Sequence, residues 1–135
     1  MMAETRSASD DDGLALFDAN AHPDVSGLRV GRDYENYVTR AKEAGFLGAC
    51  AVALPGTDAA THFEICRDSR FLTPVAPWRS TGLRTIARQF RMLTELGYRA
   101  LKVHPRLGGP SVGSREFRRL LKMAEDHDLV VFVCT

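Results

Sequence analysis

The sequence has no apolar run that approaches the roughly 18 residues needed to span a bilayer, and charge of neither sign predominates in it. Its 135 residues include 18 Lys and Arg against 17 Asp and Glu, a formal net charge of +1. This balance excludes a strongly basic nucleic-acid-binding protein and an acidic disordered chain, unless the charges segregate in space. We therefore expect a partner that is neither nucleic acid nor membrane.

Cysteine is scarce, and its spacing is wide. The three cysteines, Cys50, Cys66 and Cys134, are odd in number and form no Cys-x-x-Cys motif. These features argue against a disulfide framework and favour a reducing compartment. The first 13 residues also lack the apolar segment of a secretory signal. We therefore predict a cytoplasmic protein.

The overall composition is that of one globular domain. Hydrophobic residues make up 44% of the chain and charged residues 26%, which is the ordinary balance of a soluble protein. Residues 1–13 are too polar to bury enough apolar surface to offset the entropy of ordering them. We therefore predict a disordered tail at 1–13 and a single domain at 14–135.

Short apolar segments alternate along the chain with segments whose apolar residues recur every three or four positions. The first pattern is typical of buried strands and the second of amphipathic helices. The predicted strands are 14–17, 46–54, 71–78, 100–104 and 129–134, and the predicted helices lie within 33–45, 58–68, 83–97 and 114–127. This alternation predicts an α/β fold with a parallel sheet and right-handed crossovers.

Two architectures accommodate five strands and four helices. One is the first half, strands one to five, of a (β/α)8 barrel, which normally needs roughly 250 residues. The other is an open, doubly wound, five-stranded sheet of the flavodoxin type, which is complete at about this length. The sequence ends on a predicted strand with no covering helix after it, which favours the incomplete barrel. In either architecture, binding groups gather at the carboxyl ends of the strands.

Three polar residues follow the first apolar strand at every second position: Asp18, Asn20 and His22. Because an extended backbone alternates its side chains, this spacing predicts that all three point to one side. A carboxylate, an amide and an imidazole on one edge can bind a metal or polarise a substrate oxygen. In the alternative interpretation, Asp18 and Asn20 only satisfy backbone groups of a loop.

Lys102 and His104 repeat this arrangement on the fourth predicted strand, with Val103 on the opposite side. A lysine in an apolar strand is costly to bury without a partner, so it needs a polar mouth or an acidic neighbour within its reach. Arg106, just beyond, would add a cation for a carboxylate or phosphate. Trp78, at the end of the third strand, is either a pocket wall or core packing.

The remaining histidines and cysteines have simpler interpretations. His62 lies off the apolar side of the second helix, so we expect it to be solvated. His127 sits near the end of the fourth helix, where a cation suits the helix dipole, and we expect no catalytic role for it. Cys50 and Cys66 are predicted core residues, whereas Cys134, at a strand end, is either packing or a ligand.

Four segments carry a family resemblance: 17–22, 43–52, 96–105 and 124–135. The first is similar to an opening Ile-Asp-x-His-x-His strand, and the second to a helix, glycine and apolar strand. The third is similar to a Leu-Gly-x-x-Gly-hydrophobic-Lys-hydrophobic-His strand, and the last to an Ala-Glu-x-x-x-Leu run into strand five. In this order they resemble the metal-dependent amidohydrolase superfamily, in particular its amidohydrolase-related group of small-molecule decarboxylases and lactonases.

The resemblance implies a (β/α)8 barrel with a divalent metal, usually zinc, at its carboxyl-end mouth. It makes His22 a metal ligand and Asp18 the residue that supports it. It also implies that Lys102 and His104 face the substrate. The expected cofactor is therefore a divalent metal, with zinc the first candidate.

Two positions depart from the family pattern. Asn20 stands where the first metal-binding histidine belongs, and Cys134 where the fifth strand usually offers a histidine. An amide is a poor zinc ligand and a thiolate a good one, so His22 and Cys134 give at most two ligands. Catalytic zinc generally has about three protein ligands. We therefore expect zinc held together with ligands from strands beyond the fifth, or no metal if these departures abolish the site.

The function implied is an amidohydrolase-like hydrolase or decarboxylase of a small acidic, cyclic-amide or lactone substrate, completed by a second half-barrel. The predicted catalytic residues are Asp18, Asn20, Lys102 and His104, the substrate-binding residues Trp78 and Arg106, and the metal ligands His22 and Cys134. The alternative is a half-barrel module without catalysis. With open strand edges and an uncovered sheet face, it would form a homo-oligomer or pair with a complementary half.

Overall fold

The computed structural model describes residues 15–23, 30–53 and 56–134. The predicted tail at 1–13 and the end of the predicted second strand at Leu54 lie outside these residues. The strands are β1 (Leu16–Ala21), β2 (Phe46–Val52), β3 (Leu72–Trp78), β4 (Ala100–Val103) and β5 (Val130–Val133). The helices are α1 (Val30–Glu43), α2 (Ala59–Arg67), α3 (Ile86–Leu96) and α4 (Arg115–Asp126), with a 3-10 turn at Pro105–Leu107. None of these described helices is long and apolar enough to cross a membrane.

The five strands form one parallel sheet in the order in which they occur along the chain. Each strand pairs with the one before it, so the order is β1-β2-β3-β4-β5. The sheet is curled, as strand twist favours. The prediction of an α/β fold with an all-parallel sheet is confirmed.

All four helices cover one face of the sheet. On that face Ala49 and Ala51 pack with α1 and α2, and Leu101 and Val103 pack with α3 and α4. Each helix contacts the next one in the chain. The opposite face, here called the open face, carries a separate apolar cluster in which no described helical residue takes part. This cluster contains Val52, Val75 and Ala100, with Cys50 and Phe132 beside it.

The helix ends follow from local sequence. The Asp58 side chain accepts a hydrogen bond from the Thr61 amide at 2.9 Å and caps α2. Ser114 does the same for α4 through the amide of Phe117 at 3.1 Å. Such caps satisfy amides that have no partner within the helix. Gly97 ends α3 with φ at 110°, a left-handed conformation that favours glycine.

Strand β1 differs from its predicted bounds and is irregular. It begins and ends later than the predicted 14–17, because its polar second half also pairs with β2. Asp18 lies opposite Ala49, but Ala21 lies opposite Ala51, so β1 uses three steps where β2 uses two. An extra residue of this kind reverses the alternation of side chains. Ala21 is therefore buried on the helix-covered face.

The expectation that His62 is solvated is wrong. His62 is 0% exposed and lies between α1, α2 and the sheet. Its Nε2 donates to the backbone carbonyl of Ala51 at 3.0 Å, so its Nδ1 accepts from the Tyr34 hydroxyl. The Tyr98 ring stacks on it with centroids 6.2 Å apart. These partners come from distant parts of the chain and satisfy an imidazole that the helical pattern alone assigns to solvent.

We expect His62→Ala to lower the free energy of unfolding by about 2–4 kcal/mol, because it opens a cavity and removes the imidazole's hydrogen bonds to the Ala51 carbonyl and the Tyr34 hydroxyl. Urea denaturation followed by circular dichroism measures this loss. The matched control is His127→Ala at the exposed end of α4, which should cost about 1 kcal/mol or less. Equal losses in the two variants would contradict the structural role of His62.

Candidate active site

Five of the predicted site residues line one cleft on the open face, at the carboxyl ends of the strands. They are Asn20, His22, Lys102, His104 and Cys134. Apolar walls between them come from Val52, Ala53, Pro77 and Leu107. The cleft has a volume of about 160 Å³. Polar groups from β1, β4 and β5, or from just beyond them, thus meet above an apolar floor from β2 and β3.

Lys102 holds the two sides of the cleft together. Its Nζ donates a hydrogen bond to Asn20 Oδ1 at 3.0 Å, which joins residues 82 positions apart. Two strands, β2 and β3, lie between these residues in the sheet, so the curl of the sheet brings their side chains together. Among the described residues, Lys102 pairs with no carboxylate. Its positive charge therefore stays available beside the cleft.

His22 leaves β1 with its ring fixed from one side. Its Nδ1 lies 3.3 Å from the Val52 carbonyl oxygen at the end of β2. A carbonyl can only accept, so in the neutral ring this contact places the proton on Nδ1 and leaves the lone pair on Nε2. The side chain is exposed at the cleft.

His104 is held by the turn that follows β4. Its carbonyl accepts hydrogen bonds from the amides of Leu107 at 2.9 Å and Gly109 at 3.1 Å. A Cβ at position 109 would lie 2.9 Å from this same oxygen, so the close return of the chain requires glycine. The imidazole is half-buried, and its Nδ1 is buried without a hydrogen-bond partner in the described part of the chain.

Asp18 does not line the cleft, although its spacing from Asn20 and His22 predicts a shared side. Its carboxylate accepts a hydrogen bond from the Tyr37 hydroxyl of α1 at 2.7 Å, and from the backbone N–H of Asn20 at 3.0 Å. The extra residue in β1 separates Asp18 from the other two. Burial, and then the hydrogen bond to Asp18, raise the pKa of Tyr37 well above its usual range.

The two predicted substrate-binding residues also lie away from the cleft. Trp78 is 2% exposed and packs in the core between the sheet, α3 and α4, which was the alternative interpretation of it. Its neighbour Pro77 takes the place on the cleft instead. Arg106 is exposed in the 3-10 turn and does not line the cleft, whereas Leu107 does. The sequence analysis did not identify Pro77 or Leu107 as lining residues. The alternation of side chains along β3 could have identified Pro77, because it places Pro77 on the opposite face from Trp78.

The donor set of the cleft does not fit a conventional zinc site. Within the described ranges, no three His, Cys, Asp or Glu side chains are grouped as metal ligands. His22, His104 and Cys134 all line the cleft, but they are not grouped closely enough to supply the three protein ligands that catalytic zinc generally has. Asn20, where the resemblance would place the first metal-binding histidine, has its oxygen bound by the Lys102 ammonium. A cation from the chain thus occupies this place.

The chain matches no protein-family model, no curated protein and no solved structure. The interpretation of the cleft therefore rests on its own geometry and chemistry.

We expect iodoacetamide to alkylate Cys134 before Cys50 and Cys66 in the folded protein. Burial, and then the Asp18 charge, raise the pKa of the Cys50 thiol, and burial raises that of Cys66 to about 12. Both therefore stay protonated at neutral pH and are poor nucleophiles. Cys50 and Cys134 are both half-buried, but of the three cysteines only Cys134 lines the cleft. Peptide mass spectrometry measures the order, with urea-unfolded protein as the control in which all three should react alike. Equal rates for Cys66 and Cys134 in the folded chain would contradict this order.

Proposed function

We propose that residues 14–135 form the first half, strands one to five, of a (β/α)8 barrel. The sequential strand order and the single helix layer support this proposal. A doubly wound sheet of the flavodoxin type instead has the order 2-1-3-4-5 and helices on both faces. The bond from Lys102 across two strands to Asn20 adds support, because a closing barrel curves its sheet in this way.

Within this fold the chain acts as an amidohydrolase-like hydrolase or decarboxylase on a small acidic, cyclic-amide or lactone substrate. The observation that carries this proposal is the Lys102 ammonium in the cleft, bound to the neutral oxygen of Asn20 and to no described carboxylate. A fixed positive charge of this kind attracts a substrate carboxylate or a carbonyl oxygen. It also stabilises the negative charge that develops there during reaction.

The chain's own side chains can divide the chemistry between them. In hydrolysis, Lys102 polarises the substrate carbonyl, and the lone pair on His22 Nε2 accepts a proton from the attacking water, whose oxygen bonds to the carbonyl carbon. The bond from this carbon to the leaving nitrogen or oxygen then breaks, and the protonated His22 gives its proton to the leaving atom. In decarboxylation, the carbon–carbon bond breaks, CO2 leaves, and the same ammonium stabilises the electron pair left on the substrate carbon. This carbon then takes a proton from water. Both routes use the Lys102 cation, and hydrolysis also uses the basic imidazole of His22 on the same cleft.

The size of the cleft supports the need for a second half-barrel. Its volume of about 160 Å³ is below the roughly 300–1,000 Å³ of small-molecule pockets. The described lining comes from β1 to β5 and the segments that follow them. Strands from a complementary half would supply the missing wall.

We expect Lys102→Met to weaken the binding of acetate, used as a minimal carboxylate probe, by roughly ten- to a hundredfold. This is the range that loss of a charged hydrogen bond of about 1.5–3 kcal/mol implies. Titration followed by amide chemical shifts measures the affinity and shows whether the shifts map to the cleft. Arg106→Met is the matched control, because Arg106 is exposed and lies off the cleft. Unchanged binding in Lys102→Met, or no shifts at the cleft, would contradict the proposal.

A second candidate function is a half-barrel module without catalysis that associates with another chain. The observation in its favour is the outer strand β5, where Val130 is 57% and Val133 is 38% exposed. Strand β5 pairs only with β4 among the described strands. An exposed apolar edge strand is a template for pairing with another chain.

We expect sedimentation velocity to show association that increases with protein concentration, and Val133→Lys to weaken it, because charge on an edge strand opposes pairing. The control is Val112→Lys, the same change at a valine that is 61% exposed ahead of α4. A wild-type chain that stays monomeric throughout the micromolar range would count against this candidate.

A further inference from the structure

We propose that the cleft selects a small 2-hydroxycarboxylate, because its two histidines present opposite hydrogen-bonding groups beside one lysine. The inference rests on the proposed function, since it uses the same cleft, and it adds the chemical class of the ligand. The surroundings of His22 and of His104 each favour one tautomer of the ring, and the inference is drawn from these two tautomers.

His22 presents an acceptor. Its Nδ1 faces the Val52 carbonyl at 3.3 Å, and a carbonyl has no proton to give. In the neutral ring the proton therefore sits on Nδ1, and Nε2 carries the lone pair. A ligand that meets His22 Nε2 must bring a hydrogen of its own.

His104 presents a donor. Its Nδ1 is buried and has no partner among the described residues. Its Nε2 also forms no hydrogen bond to a described residue, but this nitrogen is not fully buried. A proton on Nδ1 would be a buried donor without an acceptor, which is rarer and more costly in proteins than an unpaired lone pair. The neutral ring therefore carries its proton on Nε2, the nitrogen that remains accessible. A ligand that meets His104 Nε2 must bring an acceptor.

Lys102 favours a negative charge on the ligand atom that accepts from His104. The ammonium has three donors, of which one goes to Asn20 Oδ1 at 3.0 Å. No described carboxylate neutralises it, so an anionic oxygen is favoured over a neutral one. A carboxylate can accept from both Lys102 and His104, while a hydroxyl on the adjacent carbon donates to His22. The three residues line one cleft of about 160 Å³, and a 2-hydroxycarboxylate supplies both groups in a small molecule.

The tautomers are measured first, on the wild-type chain without ligand. Long-range ¹H–¹⁵N correlation spectra at about pH 8, above the ordinary histidine pKa, distinguish a protonated ring nitrogen from an unprotonated one. We expect the Nδ1–H form at His22 and the Nε2–H form at His104. The same tautomer at both positions would overturn the inference whatever the cleft binds.

The ligand class is measured next, by comparing glycolate with acetate in amide chemical-shift titrations. Glycolate adds only the hydroxyl, so we expect it to bind about two- to tenfold more tightly, as one added hydrogen bond implies. His22→Phe should abolish this preference while acetate still binds, and His127→Phe should leave it intact.

The outcomes separate the two proposals. If neither anion shifts resonances at the cleft, the proposed function fails. If both bind there equally well, or if His22→Phe keeps the preference for glycolate, the proposed function stands and the 2-hydroxycarboxylate inference is wrong. If His22→Phe fails to fold, the tautomers and the affinity ratio of the wild-type chain still decide.

Discussion

The hydrogen bond from Lys102 to Asn20 is the interaction on which the arrangement of the cleft depends. In a flat sheet β4 and β1 would lie three strand spacings apart, roughly 14 Å. The curl shortens this separation on the concave side, where the two side chains meet at 3.0 Å. The same curvature brings His22 and His104 to a common cleft. The bond also gives the ammonium a neutral partner, which holds its position without cancelling its charge.

The helices determine which face of the sheet can hold such a cleft. Because α1 to α4 all pack on one face, apolar residues of β2 and β4 fill that side. On the open face, the described residues form one small apolar cluster, which extends to the carboxyl ends of the strands. Polar side chains can therefore stand at the top of this face and keep contact with solvent. On β4, the side chains of Leu101 and Val103 lie in the core under the helices, and the side chain of Lys102 lies on the open face at the cleft. One strand therefore contributes to both the core and the cleft.

Much of this arrangement could be predicted from the sequence, because it follows from regular alternation. Lys102 on β4 and His104 directly after it are two positions apart on extended backbone, and the parallel sheet follows from the order of apolar segments. Asp18 could not be placed, because the extra residue in β1 is a property of its pairing with β2. The burial of His62 could not be predicted for a related reason. Its Nε2 bonds to the backbone carbonyl of Ala51, and the pattern of side chains along a helix does not indicate which backbone groups will lie next to it.

Two of the strands that border the cleft, β1 and β5, form the outer edges of the described sheet. Asn20 belongs to β1 and His22 follows it, while Cys134 follows β5. A segment that pairs with either edge would therefore border the cleft, within reach of side chains that already line it. In the proposed barrel, the strands that close the sheet would for this reason also complete the wall of the pocket. The uncompensated charge of Lys102 also opposes a cationic group in the added wall and favours an acidic or neutral one.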